Sequence, residues 1–261
     1  MAYFQKTFRP DIINGDVSNV IQSNKTDLPF AANDLLFDWV AVDVPLGTDA
    51  IVDGSVHMYG EDGSAQTNCD FHLIIAKSND GVAPTSLGTV NVAITGCYEL
   101  PDILLGMMKF EGDANKVGKL NLQGHGGSIY QFNTTGNNGA VGPVVIQPEH
   151  NTLGGATTNR IYVAGIAGGA IDFSTGVLLN DASDVADDAG TSLTVDGVDP
   201  RKAFRVGDTV YIHDVDTAIG TVASLGSNNI TLTSNNVGAI TDDDEFMNAK
   251  PITVTLGFNG R

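Results

Sequence analysis

The chain has 261 residues and a formal net charge of −18, from 31 acidic and 13 basic residues. Nucleic acids and anionic membrane surfaces bind clustered lysine and arginine, so this charge argues against both kinds of partner. The 31 glycines exceed the ordinary frequency of about 7%. Together with abundant Thr, Val, Ile and Asn, they favour an all-β fold with many tight turns.

Targeting signals and cysteines set further limits. The chain has no apolar run of roughly 18 residues, the length that a membrane-spanning helix needs, and its N terminus lacks the hydrophobic core of a signal peptide. We therefore expect a protein that is made in the cytoplasm and not exported by that route. Two cysteines, Cys69 and Cys97, do not make a disulfide framework. We expect two small buried side chains in strands, with a cross-strand bridge as the alternative.

Residues 1–33 are predicted to form an extended N-terminal arm, because they lack a sustained helical or strand period and contain prolines, glycine, Asn and Asp. Basic and acidic residues balance within the arm, unlike in the remainder of the chain. Its aromatic residues Tyr3, Phe4 and Phe8 would be costly to leave in water on a free tail. The arm therefore either packs along its own domain or docks on a neighbouring subunit.

The main domain is predicted to begin with residues 35–44 (LLFDWVAVDV), whose nearly continuous apolar character around Trp39 indicates a central strand. Residues 69–77 (CDFHLIIAK) and 89–96 (TVNVAITG) each alternate between apolar and polar positions. This pattern predicts that the two segments pair as a hairpin with a long loop. Residues 100–110 (LPDILLGMMKF) are ambiguous, because Pro101 suits the first turn of a helix, but Gly106 and the short run favour a strand.

Further short strands follow without helical periods between them, which predicts an antiparallel β-sandwich or jelly-roll-like main domain made of residues 34–173 plus 249–261. Residues 174–248 are predicted to be an inserted small β-barrel or β-sandwich domain, with strands in FRVGDTVYIH, IGTVASL and NITLTSN. The final segment, PITVTLGF at 251–258, is too short to form a domain and is expected to rejoin the main one.

The predicted insertion is strongly acidic, since residues 176–246 hold thirteen acidic and three basic residues. Desolvating so many unpaired carboxylates would be expensive, so the insertion should be well exposed and project from the main domain. Its acidic runs at 181–188 and 242–245 could bind calcium, but they do not match an EF-hand loop, and solvated loops are the favoured interpretation.

Motifs for catalysis or cofactor binding do not emerge from the sequence. The histidines are scattered and form no zinc-binding pattern: His57, His72, His125, His150 and His213. The glycine-rich pieces at 124–128 and 165–170 fit no phosphate-binding loop and are better explained by turns, bulges or close approach of backbones. We therefore predict no catalytic residue, no metal site and no cofactor. A polysaccharide-cleaving enzyme with distant paired carboxylates remains an open alternative.

The chain resembles the virion proteins of tailed bacteriophages, in particular capsid decoration or cement proteins. The resemblance lies in the overall organisation of the chain. It is carried by the arm (AYFQKTFRPDIINGD), the strands CDFHLIIAK and TVNVAITG, and the acidic module from FRVGDTVYIH to NITLTSN. It implies a β domain that sits on the capsid lattice and a small exposed second domain. It also implies that the protein resides in the virion.

The resulting hypothesis is a non-enzymatic virion component that binds between major capsid subunits, as a symmetric homo-oligomer, and stiffens the shell. The residues expected to contact the capsid protein or another virion protein are Tyr3, Phe4, Phe8 and Arg9. The alternative is a tail, baseplate or head-fibre component that binds carbohydrate or a receptor through exposed aromatic residues.

Overall fold

The computed structural model describes residues 2–13, 29–60, 63, 69–110, 119–121, 128–133, 143–146, 158–173, 179–180, 188–212 and 215–260. Their regular secondary structure is nearly all antiparallel β, with 55% strands and 4% helix, which confirms the expected all-β, sandwich-like fold class. The more specific jelly-roll topology stays a prediction. Of the helices within the described ranges, none is long and apolar enough to cross a membrane.

Sixteen strands lie within the described residues. In chain order they are β1 (Ala2–Phe8), β2 (Leu35–Pro45), β3 (Thr48–Met58), β4 (Phe71–Lys77), β5 (Leu104–Phe110), β6 (Lys119–Asn121), β7 (Ser128–Asn133), β8 (Val144–Val145), β9 (Thr158–Ala167), β10 (Leu179–Asn180), β11 (Ser192–Asp196), β12 (Thr209–Ile212), β13 (Val215–Leu225), β14 (Asn229–Leu232), β15 (Phe246–Asn248) and β16 (Ile252–Gly260). A four-residue helix, α1 (Leu100–Ile103), precedes β5, and Pro200–Lys202 form a 3₁₀ turn.

The strands form three sheets. The first sheet has the order β1-β16-β3-β7-β6, with β8 also paired to β3, and the second sheet has the order β2-β9-β4-β5. The third sheet has the order β10-β11-β14-β13-β12-β15 and so contains described strands from one continuous part of the chain. After the third sheet the chain returns to the first one, because β16 pairs with both β1 and β3.

The first and second sheets pack face to face as a sandwich. Alternate residues of β16, such as Val254 and Leu256, share one core cluster with Phe71, Leu73 and Ile75 of β4. Each fully buried side chain of this kind contributes about 1.5–3 kcal/mol relative to exposure. The two faces are so close that a Cβ on Gly54 would lie 2.9 Å from the Met108 methyl group, and the flexible Met108 side chain would have to shift to make room for it.

The outer face of the second sheet is covered by the segment that precedes β5, and here the predicted hairpin is wrong. β4 pairs with β5 and β9, not with residues 89–96. Those residues run beside the start of β2 instead, where the Asn91 amide donates to the Leu35 carbonyl at 2.9 Å. The physical reason is the backbone, because left-handed conformations at Gly88, Asn91 and Cys97 interrupt any long extended run.

The position predicted for residues 35–44 also needs correction. They form β2 as expected, but β2 lies at the edge of the second sheet rather than in its centre. Its apolar character arises because both faces are covered: Leu36 and Phe37 face the sandwich core, while Leu35 belongs to the cluster under the covering segment. The Trp39 indole donates to the Thr85 carbonyl at 3.0 Å on that outer side. Residues 100–110, for which the sequence suggested either a helix or a strand, contain both, because α1 is followed directly by β5.

The third sheet has its own core. Fully buried residues from several strands form it: Leu193, Val210, Ile219, Ile230 and Phe246. The sheet also touches the sandwich, since Met247 lies in the sandwich core and its cross-strand partner Tyr211 packs against it. The third sheet therefore contacts the main domain through β12 and β15. The division into an arm (1–33), a main domain (34–173 plus 249–261) and an insertion (174–248) stays a prediction about folding units.

Candidate functional site

The aromatic residues of the predicted arm are part of the sandwich. β1 pairs with β16 along its whole length, from Ala2 opposite Gly260 to Phe8 opposite Val254. The Phe4 ring stacks on that of Phe258, with centroids 5.1 Å apart and planes 8° apart. Phe4 and Phe8 are half-buried and pack against the core, so the first strand of the arm lies along its own domain.

The other side of β1 faces outward. β1 is an end strand of the first sheet, and no described strand pairs with its outer edge. Tyr3, Gln5 and Thr7 are all exposed, and we call them the outer row of β1. Tyr3 is 52% exposed; its hydroxyl donates to the Asp53 carboxylate at 3.0 Å and accepts from the Gln5 amide at 2.8 Å. These bonds hold the outer row in a defined arrangement.

Charged residues lie on the two edge strands β1 and β2. Arg160 of β9 binds Asp43 of β2 through two hydrogen bonds of 2.7 and 3.2 Å. The Arg160 guanidinium lowers the pKa of Asp43, and the charge of Lys6 on β1 lowers it further. Lys6 is therefore close enough to Asp43 for its charge to act on the carboxylate. A lysine on an edge strand also discourages unspecific strand pairing.

Arg9, the fourth predicted contact residue, makes its bonds within the chain. Its guanidinium pairs with the Asp208 carboxylate at 2.5 Å and donates to the Tyr59 hydroxyl and to the Lys250 carbonyl, both at 2.6 Å. Asp208 is 2% exposed, so it is a buried carboxylate with an arginine as its ion-pair partner. The structure thus places Arg9 between the sandwich and the third sheet. A role for it in partner binding stays a prediction.

One further residue, Asn248, completes this group, which we call the junction cluster: Arg9, Tyr59, Asp208, Asn248 and the carbonyl of Lys250. The buried Asn248 amide donates to Asp208 at 2.8 Å and to the Tyr59 hydroxyl at 3.3 Å. The backbone amide of Arg205 gives Asp208 another hydrogen bond, at 2.7 Å. These donors compensate part of the cost of burying the Asp208 charge, while the buried Arg9 Nε has no hydrogen-bond partner among the described residues.

The pKa of Tyr59, a member of the junction cluster, is strongly shifted. Burial raises its pKa to about 12; the nearby Arg9 charge opposes the shift and the Asp208 charge adds to it. The hydroxyl therefore stays protonated at neutral pH, where it donates to the Lys250 carbonyl at 3.1 Å. Sequence reasoning missed this residue because its partners lie far away in the chain. The only local signal was Tyr59 ending a strand of alternating character.

Metal and phosphate sites have little support in the described residues. Within them, no group of three or more His, Cys, Asp or Glu side chains could hold a metal ion. In the acidic run at 242–245, the Asp244 carboxylate accepts from the Thr241 amide at 2.6 Å and so closes its own turn. Gly165 leaves room for the Phe37 ring. Other predicted positions lie outside the described residues: 124–127, 181–187, His150 and His213.

A second exposed feature was not anticipated from the sequence. Tyr98 is 93% exposed, directly after Cys97 with its left-handed backbone (φ 61°). The turn is fixed beside it, because the Glu99 carboxylate accepts from the Thr85 amide at 2.8 Å. Tyr98 thus stands as a large aromatic ring on a turn of defined shape.

Comparisons of the chain with protein-family models, with curated proteins and with solved structures find no match.

Proposed function

We propose that the protein is a non-enzymatic virion component that decorates a phage capsid and stabilises it by binding between major capsid subunits. The observation that supports this most is the edge strand β1, whose outer row is exposed while its inner aromatics Phe4 and Phe8 fix it to the sandwich. A contact strand that is already ordered loses little conformational entropy on binding, which favours stable attachment.

The contact mode that suits this edge is strand addition. An extended segment of the capsid protein pairs with the main chain of β1, and the side chains of Tyr3 and Gln5 provide selectivity. In this arrangement Tyr3 touches the partner directly. Phe4, Phe8 and Arg9 contribute indirectly, because their contacts within the chain hold β1 in place.

The charge of the third sheet fits a location on the outside of a particle. Its region carries thirteen acidic residues and three basic ones, and like charge keeps such surfaces hydrated and apart. A symmetric homo-oligomer around a capsid symmetry axis is part of the same proposal. No cofactor is needed for this function.

Two tyrosine variants test the proposed contact. Purified capsids that lack the chain are mixed with the wild-type protein, with Tyr3→Ala or with Tyr98→Ala, and bound protein is measured by co-sedimentation. Tyr3→Ala should weaken binding about tenfold, since interface tyrosines often contribute 1.4 kcal/mol or more. Tyr98→Ala is the matched control, an equally large truncation at an exposed site outside β1. Undiminished binding of Tyr3→Ala would reject the β1 contact.

A second candidate function is favoured by Tyr98 alone. An aromatic ring that is 93% exposed on a fixed turn can stack on a sugar, as in a carbohydrate-binding or receptor-binding tail, baseplate or head-fibre protein. A glycan array with wild-type protein and Tyr98→Ala tests this candidate, and Tyr3→Ala now serves as the control. Signals that Tyr98→Ala abolishes would support it, and an array without signals would reject it.

A further inference from the structure

The N-terminal segment continues from β1 into the boundary between the sandwich and the third sheet. Beyond Arg9, the side chains of Ile12 and Ile13 are fully buried in the sandwich core. The Ile12 amide donates to the Ala249 carbonyl at 2.9 Å, directly after the last strand of the third sheet. Residues 9–13 are thus held by the same stretch of chain that leaves the third sheet.

Arg9 joins three parts of the molecule at this boundary. Its acceptors are Asp208 beside β12, Tyr59 at the end of β3 and the Lys250 carbonyl between β15 and β16. Asp208 and Tyr59 are 2% and 1% exposed, so water does not readily replace the guanidinium. If Arg9 left this place, a buried carboxylate would lose its counter-charge, which is strongly unfavourable.

The apolar contacts across the boundary are less directional. Tyr211 and Met247 of the third sheet pack against the sandwich core, and such apolar contacts tolerate small shifts and rotations. Two hydrogen bonds of the junction cluster cross the boundary, from Arg9 to Asp208 at 2.5 Å and from Asn248 to the Tyr59 hydroxyl at 3.3 Å, and such bonds weaken steeply when their geometry changes. The junction cluster therefore restricts the orientation of the third sheet relative to the sandwich.

We infer that the junction cluster couples the placement of β1 to the orientation of the third sheet. The third sheet holds its position only while β1 is paired with β16 and Arg9 reaches Asp208, and a loosened third sheet in turn loosens β1. Binding or displacement of a partner at β1 then changes how the acidic third sheet is presented. This coupling is a property of the isolated chain and does not depend on what the partner is.

Hydrogen exchange on the full chain tests the coupling across the boundary. Asp208→Asn substitutes a residue beside β12 in the third sheet. The β1 amides that bond to β16 should nevertheless exchange about tenfold faster, because the substitution weakens the Arg9 bond that holds residues 9–13. The matched control is Asp199→Asn, which removes another carboxylate from the same region, where it pairs with Arg201 near the surface. This control should leave β1 exchange unchanged.

A reciprocal variant and a milder one complete the test. Phe4→Ala loosens β1 and should accelerate exchange in β12 and β15 of the third sheet. If Asp208→Asn fails to fold, Tyr59→Phe takes its place, because it keeps the ring and removes only the hydroxyl that Arg9 and Asn248 contact. Faster exchange that stays confined to the substituted side in these variants would overturn the inference.

Discussion

Tyr59 shows at the scale of one residue how burial controls chemistry in this molecule. Its pKa is raised to about 12 from the ordinary value near 10, so the folded state resists its ionisation. The stability that depends on the protonated hydroxyl is fully present below pH 10 and is lost as the pH rises towards 12. Two pKa units correspond to roughly 2–3 kcal/mol.

The free energy of unfolding of the wild-type protein should therefore decrease between about pH 10 and pH 12 more steeply than that of Tyr59→Phe. Urea denaturation at several pH values for both proteins measures the difference, and titration of lysines and of other tyrosines affects the two proteins alike. Parallel curves for the two proteins would contradict the buried, protonated hydroxyl.

The two cysteines give a second prediction for single residues. Cys69 and Cys97 are 2% and 4% exposed and form no disulfide. Burial and the neighbouring Glu99 raise the pKa of Cys97 to about 11, which further lowers its reactivity. A thiol reagent such as Ellman's reagent at pH 8 should modify neither residue in the native protein and both after unfolding. Rapid reaction of the native protein, or a missing thiol in the unfolded one, would contradict the structure.

At the scale of elements, β1 depends on its inner aromatics. Phe4→Ala removes the stacked pair with Phe258 and part of a half-buried ring, so it should destabilise the protein by about 1–2 kcal/mol in urea denaturation. The neighbouring Tyr3→Ala truncates an exposed ring and should cost no more than about 0.5 kcal/mol. Equal effects of the two variants would show that β1 is not fixed by its inner face.

Local patterns in the sequence were sufficient for some elements and insufficient for others. The short β-branched runs near 209–232 were correctly predicted as β12, β13 and β14, because strand propensity and turn residues are local signals. The partner of β4 was predicted wrongly, because pairing depends on which distant strands share the core. The edge position of β2 was missed for a related reason, since a covering segment makes an edge strand as apolar as a central one.

At the scale of the whole molecule, the third sheet should be separable from the sandwich. Its described strands pair with one another, and the chain re-enters the first sheet through β16. Replacing residues 174–248 with a short Gly/Ser linker should leave a folded sandwich, visible as a cooperative thermal transition with β-type circular dichroism. It should be less stable than the full chain, because Tyr59 and Arg9 lose their partners. A protein without a cooperative transition would refute the insertion.

The candidate site was only partly accessible from the sequence. The aromatic residues of β1 drew attention because aromatics in a polar segment need a partner, and they found it within the same chain. The junction cluster could not be foreseen, since Arg9, Tyr59, Asp208 and Asn248 are brought together only by the three-dimensional fold. Its residues are individually ordinary, and only their burial and mutual distances distinguish them.

We propose that this chain is a structural part of a virus particle. Quantitative mass spectrometry of particles purified through successive density gradients, from a culture that produces the chain, tests it most directly. We expect the chain to co-purify with the major capsid protein in a fixed ratio. A chain that stays in the particle-free soluble fraction would contradict it.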